Sequence, residues 1–423
     1  MFKTFKNAFK IPELRSKILF TLFIIILYRI GSVIPVPFTN VGELGAAYSQ
    51  TGILTYLSML SGSAFAQGTL FALGVSPYIT AQIVIQLLTI AIPALERLAQ
   101  NGEDGRKKIN KITRYVTVLL SVITGIGYYL IMENQYGLVK KGYDNAFGII
   151  VIIACYVAGA SIVMWLGEKI TENGIGNGIS LIIFAGIVSR FPSIATTIYE
   201  NIKAGSLSYI VALIFVVVLV VVFGFIVLMN DAERRIPVQY AKRVVGRKMY
   251  GGQSTYIPIK VSMAGVIPII FAMSIMMFPA TIMQLFGKED NWVMRNIFSS
   301  SSWIYIVLYF LLILFFTFFY TKIQFNTIEI ANNMKNNGGS IRGIRPGKPT
   351  SDYIDKSLNK ITMAGAVFIG LVAVVPMILA KVFGLGGIAI GGTSLLIVVG
   401  VILETGKQIE SQMMMRNYKG FLE

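Results

Sequence analysis

The chemistry open to this chain is bounded first by what it lacks. Histidine is absent from all 423 residues, which removes serine–histidine–aspartate hydrolysis and HExxH zinc sites. The single cysteine, Cys155, has no partner for an intramolecular disulfide and reads as a small buried hydrophobe inside an apolar run. The stretch GIRPGKPT (Gly343–Thr350) resembles a phosphate loop at a glance. Arg342 stands where its first glycine belongs, Pro349 stands where a serine or threonine would hold magnesium, and no strand is expected before it. No nucleotide, metal or other cofactor is therefore expected, and uphill work would draw on a partner or a gradient. What remains is cationic recognition. Lys242, Arg243, Arg247 and Lys248 form one basic tip, and Arg342, Arg345 and Lys348 form a second basic stretch. A guanidinium fork suits phosphate or carboxylate in a bidentate grip. Such runs beside membranes also serve simply as topology signals, and both readings stand at this point.

The elements that must carry these tips are apolar. Ten long apolar stretches fill the chain, near 18–38, 72–92, 113–132, 147–167, 175–193, 208–229, 263–286, 303–322, 361–381 and 389–406. A hydrocarbon core about 30 Å thick needs ~20 apolar residues of helix. The hydrophobic fraction of 55% against 13% charged residues is far from the soluble norm. The apolar run through Ile34 is too long for the core of a signal peptide and no small-x-small site follows, so it is expected to remain as span one.

Charge gives an orientation. Of the 37 Lys and Arg residues, 29 fall in segments 1–17, 97–114, 167–178, 230–260, 321–360 and 404–423. The other 8 are Arg29, Lys140, Lys141, Arg190, Lys203, Lys288, Arg295 and Lys381, at or near the opposite ends of the spans. The positive-inside rule then places both termini in the cytosol. The net charge of +17 suits anionic lipids, RNA phosphates or an acidic protein partner. No span carries a convincing acid or base at its middle, which weighs against an ion-coupled transporter.

Three connections are unusual. Segment 54–74 is moderately apolar, rich in small residues and interrupted by Gly62 and Gly68. It reads either as an interfacial or re-entrant loop helix or as a half-helix lining a cavity, since irregular backbone at membrane depth survives only inside protein or water. In 230–260, the alternating pieces Ile236–Tyr240 and Thr255–Ile259 predict short strands. In 323–360, a short helix is expected over Asn326–Asn337, stopped by Gly338 and Gly339.

Several stretches together resemble the SecY family, the central subunit of the protein-conducting channel. They are FALGVSPYITAQIVIQLL (71–88), WLGEKITENGIGNGISLIIFAGIV (165–188), ERRIPVQYAKR (233–243), GGQSTYIPIKVSMAGVIPIIF (251–271), FPATI (278–282), GIRPGKPTSDYIDK (343–356) and GGTSLLIVVGVILE (391–404), in the family's order and spacing. The resemblance implies an all-α polytopic membrane protein, with ten transmembrane helices in two inverted five-helix halves around an hourglass pore. The halves would be 1–189 and 207–423, joined by an outer hinge at 190–206. The family's pore ring maps onto Ile79, Ile83, Ile179, Ile183, Ile270 and Ile397. Each i,i+4 pair would share one helix face, about 6 Å apart along the axis.

The same resemblance assigns segment 54–74 as a plug over about 57–68, with Leu57, Ser61, Gly62, Ala64, Phe65 and Gly68. It sets a lateral gate between spans two–three and seven–eight, where Ile79–Leu88 would face Met263–Phe278, with Pro268 and Pro279 as candidate soft points of span seven. It makes the two basic loops a docking surface for the ribosome, through rRNA phosphates, and for the SecA motor. The docking residues would be Lys242, Arg243, Arg247, Lys248, Arg342 and Arg345. Expected companions are SecE-type and SecG-type membrane subunits, signal sequences and nascent polypeptides, and anionic lipids. The location would be the bacterial cytoplasmic membrane. The implied function is a passive channel for unfolded secretory polypeptides, not an enzyme; the alternative is a ten-span secondary transporter of a small solute.

Overall fold

Proline and glycine set the ends of many helices in the computed structural model, which describes residues 7–39, 64, 67–134, 137, 139–140, 142, 145–205, 208–240, 243–245, 248–250, 254–263, 265–285, 292, 296–297, 302–382 and 392–419. Helix α1 (Pro12–Gly31) begins on a proline, whose missing amide costs nothing in a first turn. It ends seven residues before the expected limit of span one. Pro35 and Pro37 cannot continue a helix, and the chain instead forms isolated bridges, Pro35 with Thr69 and Thr39 with Val139. Helix α2 (Ser76–Ala91) stops at Ile92, which precedes a proline and takes an extended backbone. Helix α3 (Pro93–Gln100) then leaves at 101° to α2.

Helix α4 (Gly102–Asn134) follows a left-handed glycine, Gly102 at φ 65°, and carries Glu103 and Asp104 against the positive end of its dipole. The remaining helices are α5 (Ala146–Asn173), α6 (Gly178–Val188), α7 (Phe191–Lys203), α8 (Tyr209–Asp231), α9 (Ile267–Leu285), α10 (Trp303–Gln324), α11 (Thr327–Asn336), α12 (Lys348–Val382) and α13 (Gly392–Lys419). A helix occupies each of the ten expected intervals. Among the described residues, six helical segments are long and apolar enough to cross a bilayer, or seven if the bent α2–α3 pair is one crossing. The stretch assigned as a hinge is mostly helical, as α7 followed by a turn at Gly205 (φ 73°).

The two basic loops meet in one sheet. Strands β1 (Glu233–Tyr240) and β4 (Ser254–Lys260) pair antiparallel, with Ile236 opposite Ile257. A separate hairpin, β2 (Arg243–Val245) with β3 (Lys248–Tyr250), lies between them in the chain. The other edge of β1 takes β5 (Gly339–Ser340), giving the order β4-β1-β5. A two-residue strand thus does precede GIRPGKPT, contrary to expectation. Helix α11 is capped by Asn326, whose side chain accepts from the Glu329 amide, and stops at Gly338 (φ 69°), close to the predicted bounds. Ile236, Val238, Ile259, Met334, Ile341, Ile354 and Leu358 form one buried cluster under this sheet. Ile354 and Leu358 explain why α12 starts well before the apolar stretch at 361: its first turns are amphipathic and pack on the sheet.

The largest buried cluster joins α1, α2, α5, α6, α8, α9, α10, α12 and α13, and so draws on both ends of the chain. A second cluster, around Val36, Leu73, Tyr128, Met132, Ile152 and Tyr156, supports the segment that enters α2; Cys155 packs half-buried against it. Close backbone approaches replace side-chain packing at several glycines. A Cβ on Gly159 would stand 1.9 Å from the Leu70 carbonyl oxygen, so only glycine lets α5 receive that strand of backbone.

Candidate functional site

Four helices bring the six candidate isoleucines together. Ile79 and Ile83 (α2), Ile183 (α6), Ile270 (α9) and Ile397 (α13) all lie in the largest buried cluster, and the half-buried Ile179 (α6) packs against it. Ile183 and Ile397 are each 1% exposed, against 8% for Ile270, the most open of the five. β-Branching leaves each of them stiff at χ1.

A cavity of about 300 Å³ stands over this cluster, and its lining includes Ile79, Ile179, Ile183 and Ile270. The rest of its lining is mostly polar, including Tyr78, Gln82, Gln86, Asn110, Arg114, Glu168, Thr171 and Glu172, with Ile267 and Phe271 among them. Arg114 Nε donates to Glu168 Oε1 at 2.9 Å, tying α4 to α5. A second cavity of about 410 Å³ shares Asn177, Ser180 and Ile267 with the first and is bounded by α8, α9, α12 and α13. The ion pair Lys407–Asp231, 2.7 Å, joins α13 to α8 beside it. Polar side chains and isoleucines thus line one vestibule together, and we term those isoleucines its floor.

The turn between α5 and α6 sets where two of the isoleucines stand. Gly176 takes φ 88°, a left-handed conformation that glycine alone enters without strain. A Cβ on Gly178 would meet the Gly167 carbonyl oxygen at 1.9 Å, so α6 begins directly on the backbone of α5. The Asn177 side chain then accepts from the amides of Ile179 (3.1 Å) and Ser180 (3.3 Å).

Helix α9 packs against α2, α4 and α10 along the seam assigned as the gate. Tyr320 of α10 and Gln86 of α2 both line the first cavity at this seam. Pro268 lies in the first turn of α9, where it weakens nothing, while Pro279 is inside the helix and removes one amide from it.

Of the plug residues, Ala64 and Gly68 are described; Leu57, Ser61, Gly62 and Phe65 lie outside the described residues. Ala64 is buried, and its carbonyl accepts from the Thr69 amide (3.2 Å) and hydroxyl (3.1 Å). Gly68 has φ 55°. The segment's root is pinned by hydrogen bonds from Leu70 N to Ile34 O (2.8 Å) and from Val36 N to Gly68 O (3.4 Å).

Of the docking residues, Arg342 and Arg345 are exposed on the turn between β5 and α12. The Arg345 carbonyl accepts from Thr350 Oγ1 at 2.9 Å, and Gly343 (φ 83°) and Gly347 (φ 100°) shape that turn. Arg243 and Lys248 fall on β2 and β3, while Lys242 and Arg247 lie outside the described residues.

Sequence reasoning missed three features of this site. They are the Arg114–Glu168 pair, the meeting of Tyr320 and Gln86 in the lining of one cavity, and the union of both basic loops in one sheet. The first two join residues far apart in the chain. The third rests on a two-residue strand, too short for any alternation to be read.

Comparison with known proteins follows the same lines. A family model described as SecY matches residues 69–406. The protein translocase subunit SecY of Streptomyces coelicolor is 46% identical over 441 aligned positions covering 100% of each chain. That of Mycobacterium bovis is 42% identical, again over 100% of both. Among solved structures, a protein-conducting channel aligns with a TM-score of 0.66 at 18% identity, covering 94% of this chain and 92% of the other. Sec61 from a canine ribosome-channel complex aligns with a TM-score of 0.64 at 18% identity over the same shares.

Proposed function

The chain belongs to the SecY family, and from that premise we propose that its isoleucine cluster is the seal of the pore through which unfolded polypeptides pass. The protein is a translocase channel subunit in a bacterial membrane, a multi-pass pore component and not an enzyme. The reading as a solute transporter has no support, because the full-length relatives are named translocase subunits.

One observation carries the proposal: four of the six isoleucines line the vestibule, and five share one buried cluster with the sixth, Ile179, packed against it. Such a floor offers no hydrogen bond to water or ions. An ion shedding its shell there faces a penalty on the order of tens of kcal/mol, so the seal works by dewetting and needs no tight steric closure. The same aliphatic side chains hold one another only by dispersion, ~0.1–0.2 kcal/mol per atom pair. They can therefore part around a passing chain of any sequence.

The remaining assignments follow from the family. Ten crossings leave both termini in the cytosol, consistent with the asymmetry of 29 among 37 basic residues, and the membrane is the cytoplasmic one. The halves are 1–189 and 207–423, hinged at 190–206. The segment around 57–68 is the plug. The seam of α2 and α4 against α9 and α10 is the side exit for signal sequences and transmembrane segments. Each leucine that leaves water there gains roughly 1.5–3 kcal/mol. The basic loops dock the ribosome, through rRNA phosphates, and the SecA ATPase, which supplies the work. SecE-type and SecG-type subunits and anionic lipids surround the bundle; α8, with only 6% of its apolar window buried, leaves a long face for them.

The test uses the single cysteine. Cys155→Ser removes it, and one cysteine is placed at Ile270. A stalled secretory chain carrying one cysteine in its mature part is presented. A signal-dependent disulfide crosslink is expected. Absence of crosslinks at positions 270, 83 and 397 alike, with the chain shown to be engaged, would refute the pore assignment.

A further inference from the structure

Helix α6 bears Ile179 and Ile183 and runs 11 residues before a turn at Ser189 and Arg190 leads into α7. Its first turn, where the chain leaves α5 through Gly176, decides where those two side chains stand. Two side chains occupy its first three amides. Thr171 Oγ1 accepts from Gly178 N at 3.0 Å, and Asn177 Oδ1 accepts from Ile179 N at 3.1 Å and Ser180 N at 3.3 Å. Thr171 is itself fixed, since its hydroxyl donates to the Gly167 carbonyl at 3.0 Å. Just before the helix, the Ile175 amide donates to Thr21 Oγ1 of α1 at 3.1 Å.

We propose that Thr171 and Asn177 are positioning residues for the seal, setting the height and rotation of Ile179 and Ile183 by fixing the first turn of α6. The inference rests on the reading of those isoleucines as part of the pore seal. Slipping the start of α6 by one residue would turn both side chains by about 100° about the helix axis. The location of the cap is informative. Asn177 lines both cavities, so water or a passing polypeptide reaches this helix start from either side. Amides bonded to water would exchange partners whenever the vestibule filled or emptied. Amides bonded to Thr171 and Asn177 keep the same partners in both conditions. Both side chains are neutral, so they accept these bonds without adding fixed charge beside the conduction path.

The experiment reads ion leak and dependence on a signal sequence in vesicles holding the channel complex, with Ile179→Asn as reference. Asn177→Ala and Thr171→Val are each expected to raise leak about fivefold, the factor given by ~1 kcal/mol of lost capping at 1.4 kcal/mol per decade. Asn177→Ser and Thr171→Ser, which keep an acceptor, are expected within about twofold of the parent, a ~0.4 kcal/mol margin. If Ile179→Asn leaks but Asn177→Ala and Thr171→Val do not, the positioning role is overturned and the seal stands. If Asn177→Ser leaks as much as Asn177→Ala, capping is not the cause and the inference is overturned. If Ile179→Asn itself does not leak, the seal assignment fails and this inference falls with it. Should Asn177→Ala not accumulate in the membrane, Thr171→Val carries the same expectation alone.

Discussion

The isoleucine floor and the sheet platform are built in opposite ways. The floor joins four helices through aliphatic contacts and contains no directional bond between its six side chains. The platform joins three strands through paired backbone groups, backed by a small buried cluster. Aliphatic contact has no preferred register, so a floor acting as the proposed seal would part and close around many shapes. A hydrogen-bonded ladder has one register, since a slip by one residue turns every side chain to the other face. A surface that must receive force from a partner gains from that rigidity; a seal would be harmed by it.

Five changes sharpen or break this contrast. The largest effect is expected from Ile270→Asn. A buried amide invites water into the floor, and removing ~3 kcal/mol of barrier would raise ion leak on the order of a hundredfold. Ile397→Asn should behave likewise, and unchanged conductance and signal selectivity in both would count against a dewetting seal. Arg345→Glu comes next. Partner-driven translocation should fall roughly tenfold, with a weaker salt dependence, because one cationic contact has become repulsive. Leak and folding should stay at the parental level; normal transport would remove Arg345 from the docking surface.

Ile354→Ala takes a fully buried side chain from beneath the sheet. It should cost about 2–5 kcal/mol of local stability, seen as faster amide exchange in β1 and β4 with no change in leak. A rise in leak would mean that platform and floor are not separable. The smallest effect is expected from Asn326→Ala, which removes the cap of α11 and should cost about 1 kcal/mol. Fraying confined to 327–331, with translocation within about twofold of parent, is the expected result.

The contrast also explains what the sequence could tell. Span positions were legible because a run of ~20 apolar residues has few other uses. Asn326 and Gly338 announced the ends of α11 through capping rules. The end of span one was misjudged: hydropathy continued to Phe38, while Pro35 and Pro37 had already excluded a helix. At the site, an isoleucine facing lipid and one in the floor have the same spelling, so only the motif alignment singled out the six. The strands of 230–260 could be read from alternation, but not that β1 would also take β5. Pairing Gln239 with Ser340 depends on three intervening helices, α9, α10 and α11, bringing the chain back.

That last pairing has a bearing on how the protein is made. While the chain emerges in order, β1 meets β4 once residue 260 has appeared, but its other edge waits until residue 339. Until then the growing chain carries an open strand edge, the kind of surface that pairs with wrong neighbours. The platform proposed to dock a motor or a ribosome therefore becomes complete only after α9, α10 and α11 have been synthesised, and a chain cut short before β5 would lack both the covered edge and Arg345. Nascent chains halted on either side of that point should differ sharply in protease resistance at β1, which turns the junction into a natural marker of how far synthesis has progressed.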